Sequence, residues 1–402
     1  MFELKMNMIQ TIGLAVVVLI IGRYLRKRVK FFETYCIPSP VIGGFLFAII
    51  NLIFNKTGFL NIIFDVTLQN FFMTIFFTSV GFNASWKLLK IGGLKVVIFL
   101  IAAIGLVVLQ NVLALGLGFA LNVDPLLALM TGSTPMTGGH GTSAAIAPIA
   151  EELGIKGAST VAIAAATFGL IAGSSLGGPV ANRLMKSHKI KVGSNRKKDD
   201  SNIKNDEMLF GETNKILNGS NFAKAFFMIL LSMFIGSYLS IFLNKFLSFP
   251  SYIGPMLVAA IFRNIADNTT RFDIHYEEIR ILEDVSLNLF LGMAMMTLKL
   301  WELAGVAGPL SILLIAQALL AVVYTYFITF RMMGKNYDAV VLSAGHMGFG
   351  LGATPNGIAN MQSVSDKYGY SNVAFFVLPI VGALFIDFFN VSIISLFLSF
   401  LQ

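Results

Sequence analysis

The chain has 402 residues, of which 56% are hydrophobic and only 12% are charged, and its mean hydropathy is +0.78. A soluble domain carries about 25% charged residues, so this composition excludes a soluble globular protein and indicates an integral membrane protein. The net charge of +8 would favour a nucleic-acid partner only in a soluble chain, and we expect none here. The single cysteine, Cys36, excludes an intrachain disulfide and a cysteine-built metal site, and we expect a free buried thiol.

Long apolar runs predict ten membrane-spanning helices, because a span needs about 20 apolar residues. In the first half these runs cover residues 8–22, 37–54, 65–82, 96–121 and 159–180. In the second half they cover residues 225–243, 252–265, 285–300, 306–330 and 372 onward. The polar segment 186–221 has too few apolar residues to pack, so we expect a mobile linker.

The distribution of basic residues predicts the topology of the chain. Lysine and arginine concentrate in the loops at residues 23–30, 87–95, 186–224 and 331–335. Loops rich in Lys and Arg stay in the cytoplasm. Both chain termini are therefore expected outside the cell, and the central linker is expected in the cytoplasm.

The two halves of the chain are related by an internal repeat. Three pairs of residues are separated by 215 positions: Pro40 and Pro255, Trp86 and Trp301, Gly154 and Gly369. Five spans in each half is an odd number, so the second half must insert upside down relative to the first. The predicted fold is an all-α membrane protein with two inverted repeats, residues 1–185 and 222–402.

Two glycine-rich stretches interrupt the apolar sequence, residues 131–142 (TGSTPMTGGHGT) and 345–356 (GHMGFGLGATPN). Glycine frees the backbone from helical geometry, and non-helical backbone survives in a bilayer only where protein buries it or water reaches it. We therefore predict one re-entrant hairpin per repeat, at about 125–155 and 337–368. Two such breaks in corresponding places indicate the binding site of a secondary transporter.

The chemistry of these stretches favours a small anion together with a coupling cation. Thr142 is expected to cap one half-helix, and Thr354 is expected to cap the other, with Pro355 at its first position. Helix N-termini attract a carboxylate, because they carry partial positive charge and free N–H groups. Unwound carbonyls and side-chain oxygens suit a sodium ion.

Several motifs closely resemble bacterial sodium/glutamate symporters over nearly the whole chain outside the linker. They are residues 137–142 (TGGHGT), 298–304 (LKLWELA), 331–339 (RMMGKNYDA), 348–355 (GFGLGATP) and 357–362 (GIANMQ). The resemblance implies sodium-coupled glutamate uptake across an inner membrane, without a cofactor. It also implies a homodimer in the lipid bilayer, in which a transport domain slides against a scaffold like an elevator.

The resemblance places the substrate site on the two glycine-rich stretches. The residues assigned to it are Thr137, Gly138, Gly139, His140, Gly141, Thr142, Gly348, Gly350, Gly352, Ala353, Thr354 and Asn356. For His140 in the first stretch, and for His346 in the second, a packed and hydrogen-bonded side chain is the alternative to direct substrate contact.

Asp387 lies near the middle of the last apolar run, and Asn390 follows one turn later. An ionisable residue at this depth costs about 2.5–3.5 kcal/mol, so a functional role is the default interpretation. We predict sodium ligation by Asp387, Asn390, Ser143 and Asn360, with a structural hydrogen bond as the alternative for Asp387.

Three other functions are compatible with parts of the sequence. A carrier for another small carboxylate, such as a dicarboxylate or a hydroxy acid, would use the same glycine stretches. An ion channel is less favoured, because two unlike loops in an inverted pair suit alternating access better than a symmetric filter. An enzyme is disfavoured, because the sequence contains no nucleophile–base pair or histidine–acid metal cluster.

Overall fold

The computed structural model describes residues 2–35, 37–91, 93–190, 218–245, 250–269, 273–301 and 307–401. Cys36 and most of the predicted linker, residues 186–221, lie outside these ranges. Within the described residues the chain is almost entirely helical, as the sequence predicts.

The described residues of the first half form two short strands and ten helices. In chain order these are β1 Phe2–Met6, α1 Met8–Arg28, α2 Lys30–Thr34, α3 Ser39–Thr57, β2 Leu60–Phe64, α4 Thr67–Asn83, α5 Trp86–Ile91, α6 Gly93–Ala120, α7 Pro125–Leu129, α8 Ser133–Met136, α9 Gly139–Glu152 and α10 Ala158–Ser187. The two strands pair in parallel, with Phe2 opposite Leu60. The prediction of a purely helical chain missed this pair, because a five-residue strand beside a long apolar run has little sequence signal.

The second half contains seven helices in its described residues. They are α11 Gly219–Leu243, α12 Ile253–Asn268, α13 Tyr276–Met296, α14 Ala307–Met332, α15 Tyr337–Gly350, α16 Thr354–Tyr368 and α17 Asn372–Leu401. Two of them contain a π-helical segment, Thr325–Thr329 in α14 and Ile380–Phe385 in α17. Such segments leave backbone carbonyls free to accept other bonds.

Each of the ten predicted spans overlaps one of these helices. Seven of them are long and apolar enough to cross a membrane by length and composition: α1, α3, α6, α10, α11, α14 and α17. The chain is therefore a multi-pass membrane protein. The spans predicted for α4, α12 and α13 fall on helices that are shorter or carry more charge.

Charged residues account for two wrong helix boundaries. The span predicted at 8–22 continues to Arg28, because basic side chains in the last turn suit the partial negative charge of a helix C-terminus. The span predicted from 285 begins at Tyr276, with Glu277 and Glu278 in its first turn. Acidic side chains stabilise the positive N-terminal end in the same way.

The helices pack in two groups. The first group contains α1, α3, α4, α11, α12 and α13, in which α4 packs against α13. Within it α1 packs on α3, and α11 packs on α12. The second group contains α6 to α10 and α14 to α17, in which α10 packs against α9, α15 and α16. Both glycine-rich stretches belong to the second group.

Candidate functional site

The second glycine-rich stretch forms the turn between α15 and α16. Every residue of α15 is buried, and only three residues separate it from α16. The two helices touch through glycine, because a Cβ atom at Gly348 would lie 2.5 Å from the backbone nitrogen of Gly357. No side chain fits between helices at this separation, so the turn is a tight helical hairpin.

The first glycine-rich stretch breaks the chain into short pieces. The four-residue helix α8 ends at Met136, and α9 begins at Gly139. Gly139 has φ +60°, a left-handed conformation that favours glycine. All four residues of α8 are buried, so this irregular backbone is covered by protein.

The two stretches meet. A Cβ atom at Gly139 would lie 3.0 Å from the carbonyl oxygen of Gly352. One side chain on α6 bonds to both stretches: Gln110 donates from Nε2 to the carbonyl of Gly350 at 2.7 Å and accepts from Thr137 Oγ1 at 2.8 Å. Helix α15 ends at Gly350, so Gln110 satisfies a carbonyl that has no partner within the helix.

A glycine face on α10 allows the second stretch to pack against the helix backbone. Gly169, Gly173 and Gly177 recur every four residues and therefore lie on one side of α10. A Cβ atom at Gly169 would lie 2.1 Å from the carbonyl oxygen of Leu351. At Gly177 it would lie 2.2 Å from Nδ2 of Asn360. These contacts fix the turn of the hairpin against α10.

Comparison with known proteins identifies the family. The family model described as "Sodium/glutamate symporter" matches residues 4–370. The sodium/glutamate symporter of Haemophilus influenzae is 41% identical over 388 residues, covering 96% of both chains. That of Escherichia coli K12 is 39% identical over 400 residues, covering 99% of this chain and 98% of the relative.

This chain belongs to the sodium/glutamate symporter family. The resemblance seen in the sequence motifs is therefore confirmed. Proteins named symporters are transporters, so the chain belongs to a transporter family and not to an enzyme family.

Both predictions of a threonine helix cap are wrong. Helix α9 begins three residues before Thr142, with Gly138 at the N-cap position. The N-cap of α16 is Ala353, and Thr354 is the first helical residue. The Thr354 hydroxyl instead donates to the carbonyl of Gly382, inside the π-helical segment of α17.

The remaining residues assigned to the substrate site lie at or beside the junction of the two stretches. His140 is buried, and its Nε2 lies 3.0 Å from Thr167 Oγ1 on α10. Asn356 is fully buried and donates from Nδ2 to the carbonyl of Leu170 at 3.1 Å. Gly141 faces the first helix group, since a Cβ atom there would lie 3.4 Å from Leu287 Cδ1 on α13.

His346 is packed inside the second helix group. Its ring stacks on Phe349, with the ring centres 4.8 Å apart, and Nδ1 lies 2.9 Å from Thr329 Oγ1 in the π-helical segment of α14. This arrangement matches the packed, hydrogen-bonded alternative given by the sequence.

The residues predicted to bind sodium lie on three different helices. Asp387 and Asn390 are on α17, Ser143 is on α9 and Asn360 is on α16. Ser143 Oγ donates to Ala162 O at 3.4 Å, and Asn360 Nδ2 donates to Gly173 O at 2.9 Å. Asn390 instead contacts the first glycine stretch, through a bond from Nδ2 to Ser133 O at 3.2 Å. The four-residue sodium site stays a prediction.

Sequence reasoning missed three buried amide residues at the centre of the site. Gln110 and Asn111 on α6 and Gln317 on α14 have no exposed surface. Asn111 bonds twice to Ser133, and Gln317 Nε2 donates to Gln110 O at 2.8 Å. Their signal was an amide in the middle of an apolar run, where an unpaired polar group is costly.

Proposed function

We propose that this chain transports glutamate into the cell together with sodium, as a secondary active symporter that works by alternating access. The observation that carries the proposal is the junction of the two glycine-rich stretches, at Gly139 and Gly352. The relatives named sodium/glutamate symporters supply the identity of the substrate and the coupling ion.

The junction suits a dicarboxylic amino acid. Helix α9 begins at Gly139, and α16 begins at Thr354, two residues after Gly352. Two helix N-termini are thus adjacent, and the N-terminus of a helix carries partial positive charge and N–H groups without a partner in the helix. We assign glutamate binding to residues of both stretches, with the carboxylates at the helix N-termini. The assigned residues are Thr137 to Thr142, Gly348, Gly350, Gly352, Ala353, Thr354 and Asn356.

We further propose that the two halves are inverted repeats and that each glycine-rich hairpin is re-entrant. Reciprocal packing supports this: α3 packs on α13, and its counterpart α12 packs on α4. Gly154 and Gly369, which the repeat pairs, follow α9 and α16 and both have positive φ, +94° and +113°. A positive-φ glycine is a common helix ending, so this match adds to the packing argument only because the two glycines occupy equivalent positions in the repeat.

The two helix groups fit an elevator mechanism, in which the second group moves past the first. The second group holds both stretches, so its displacement would move the bound substrate across the membrane. We propose a homodimer in the bacterial inner membrane, with both termini outside and the linker in the cytoplasm. The basic residues Arg26, Lys27 and Arg28 at the end of α1 support this orientation.

Uptake into proteoliposomes tests the function. The purified chain is reconstituted, and entry of radiolabelled glutamate is measured with an inward sodium gradient and with potassium in its place. We expect accumulation only with the sodium gradient. Sodium-independent uptake would contradict the coupling. Uptake of citrate or succinate, but not of glutamate, would indicate the other carboxylate carrier.

A further inference from the structure

Two buried oxygen atoms without a partner lie where α17 meets the first glycine-rich stretch. They are Oδ1 of Asn390 and Oγ1 of Thr134, and neither residue has any exposed surface. The Asn390 amide bonds to the carbonyl of Ser133, which is joined to Thr134 by a peptide bond. The two oxygens therefore lie in the same part of the structure, where α17 contacts α8.

The orientation of the Asn390 amide is fixed by its partner. A backbone carbonyl only accepts hydrogen bonds, so the nitrogen of the amide must face Ser133 O. The oxygen is then the atom left without a partner, and exchanging the two amide atoms would break the existing bond. A buried oxygen of this kind is satisfied only by a donor or by a cation.

The Thr134 hydroxyl has no hydrogen-bond partner among the described residues, unlike the hydroxyl of Thr131, three residues earlier. The Thr131 hydroxyl donates to the carbonyl of Ala128 at 2.7 Å, a bond typical of threonine in a helical turn. The Thr134 hydroxyl, on α8, makes no such bond. Its lone pairs are therefore free for a ligand that comes from outside the chain.

The surroundings favour a cation. Asp387 lies one turn before Asn390 on α17 and so projects from nearly the same side of that helix. It is the only ionisable residue of Ile386–Leu401, and Ser133–Met136 contains none. Carboxylate, amide and hydroxyl oxygens are the ligands that hard cations prefer.

We propose that Asn390 Oδ1 and Thr134 Oγ1 bind the transported sodium ion, with Asp387 supplying negative charge from the same helix. The inference rests on the proposed sodium coupling and gives it a location. Of the four residues predicted from the sequence it keeps Asp387 and Asn390, and it replaces Ser143 and Asn360 with Thr134. Because Asn390 and Thr134 lie on separate helices, the ion would join α17 to the first glycine-rich stretch.

The test measures sodium binding without transport. The melting temperature of the purified chain is recorded against sodium concentration, with potassium keeping ionic strength constant and glutamate absent. A ligand that binds only the folded state stabilises it by RT ln(1 + c/Kd) at ligand concentration c, so the rise of the melting temperature with sodium concentration gives the Kd for sodium. We expect Thr134→Val to raise this Kd at least tenfold. Its melting temperature in potassium should equal that of the wild type, because the hydroxyl has no protein partner to lose.

Two variants serve as controls. Thr131→Val removes a buried hydroxyl from the same segment and should leave the sodium titration unchanged, and Thr134→Ser keeps the hydroxyl and should do the same. If Thr134→Val does not fold, Thr134→Ala takes its place, because alanine also lacks the hydroxyl and does not introduce the valine side chain.

An unchanged titration in the Val or Ala variant would overturn the site and indicate a structural water at these oxygens. An unchanged melting temperature of the wild type in sodium would overturn it as well. A failure of the proposed function would be seen separately, as wild-type glutamate uptake without sodium dependence.

Discussion

Gln110 connects the two glycine-rich stretches through a single side chain. It is fully buried, and both ends of its amide are used, one by Gly350 O and one by Thr137 Oγ1. Thr137 Oγ1 also lies 3.5 Å from Gly350 O, so three groups form one closed network. Such a network holds the two stretches at a fixed distance, because each bond orients the others.

We expect Gln110→Leu to weaken glutamate uptake strongly. The change leaves the carbonyl of Gly350 without its main donor, and an unsatisfied buried group costs about 1–3 kcal/mol. If that cost falls on the bound state, the KM for glutamate rises about fivefold to 150-fold. The measurement is the concentration dependence of sodium-driven uptake.

Gln69→Leu is the matched control for this prediction. Gln69 is a buried glutamine on α4, in the first helix group, and its Oε1 has no partner. The variant should transport glutamate like the wild type. Equal loss of uptake in both variants would show that burial of leucine, and not the contact between the stretches, causes the effect.

Only some of the residues that form the site could be predicted from the sequence. The glycines were recognised, because closely spaced glycines in an apolar run mark a break in the helix. The caps at Thr142 and Thr354 were misplaced, because local capping rules do not include the carbonyl of Gly382 that Thr354 finds on another helix. Gln110, Asn111 and Gln317 were missed for the same reason: their partners are distant in sequence.

Helix α10 shows how an element is shaped by what it packs against. Its glycines at 169, 173 and 177 lower its helix propensity, yet they allow the second hairpin to contact its backbone. Added side chains would push the hairpin away by about the thickness of a methyl group. The helix therefore gives up intrinsic stability for a close contact at the site.

We predict that Gly169→Ala abolishes uptake while the chain still inserts and folds. The new Cβ atom would lie 2.1 Å from Leu351 O, a backbone atom, so the hairpin turn itself must shift. Gly116→Ala on α6 is the control, since nothing lies within 4 Å of its Cβ position. Sodium-driven uptake, normalised to protein in the membrane, checks both, and wild-type uptake by Gly169→Ala would contradict the close contact.

At the scale of single elements, the positions of the helices could be predicted from the sequence. Each of the ten predicted spans overlaps a helix, and seven of these helices are long and apolar enough to cross a membrane. A long apolar segment in a bilayer must satisfy its own backbone groups and does so as a helix. The hairpin predicted at 337–368 coincides with the outer limits of α15 and α16. The strand pair β1–β2 and the first turns of α13 were not predicted, because neither is marked by a long apolar run.

The division into two helix groups belongs to the whole molecule and has no signature in the sequence. One contact between the groups is well defined: Thr160 Oγ1 on α10 donates to Lys299 O, just after α13, at 3.3 Å. An elevator motion must break this bond, because it carries α10 past α13. A fixed contact would exclude such a motion.

A pair of cysteines at these positions tests the elevator. Cys36 is the only cysteine of the chain, so Cys36→Ser gives a background without thiols. In that background Thr160→Cys with Lys299→Cys should react with a short bifunctional thiol reagent. We expect the cross-linked protein to lose glutamate uptake and a cleavable reagent to restore it on reduction, because each cycle requires the contact to open.

Ser240→Cys with Ser251→Cys is the matched control within the first group, where Ser240 Oγ donates to Ser251 O at 2.9 Å. Cross-linking there should leave uptake intact, since α11 and α12 move together. Each single-cysteine variant, treated with the same reagent, separates the effect of the link from that of modification. Full uptake by the cross-linked Thr160–Lys299 pair would mean that α10 and α13 do not separate during transport, and alternating access would then need a smaller motion within the second group.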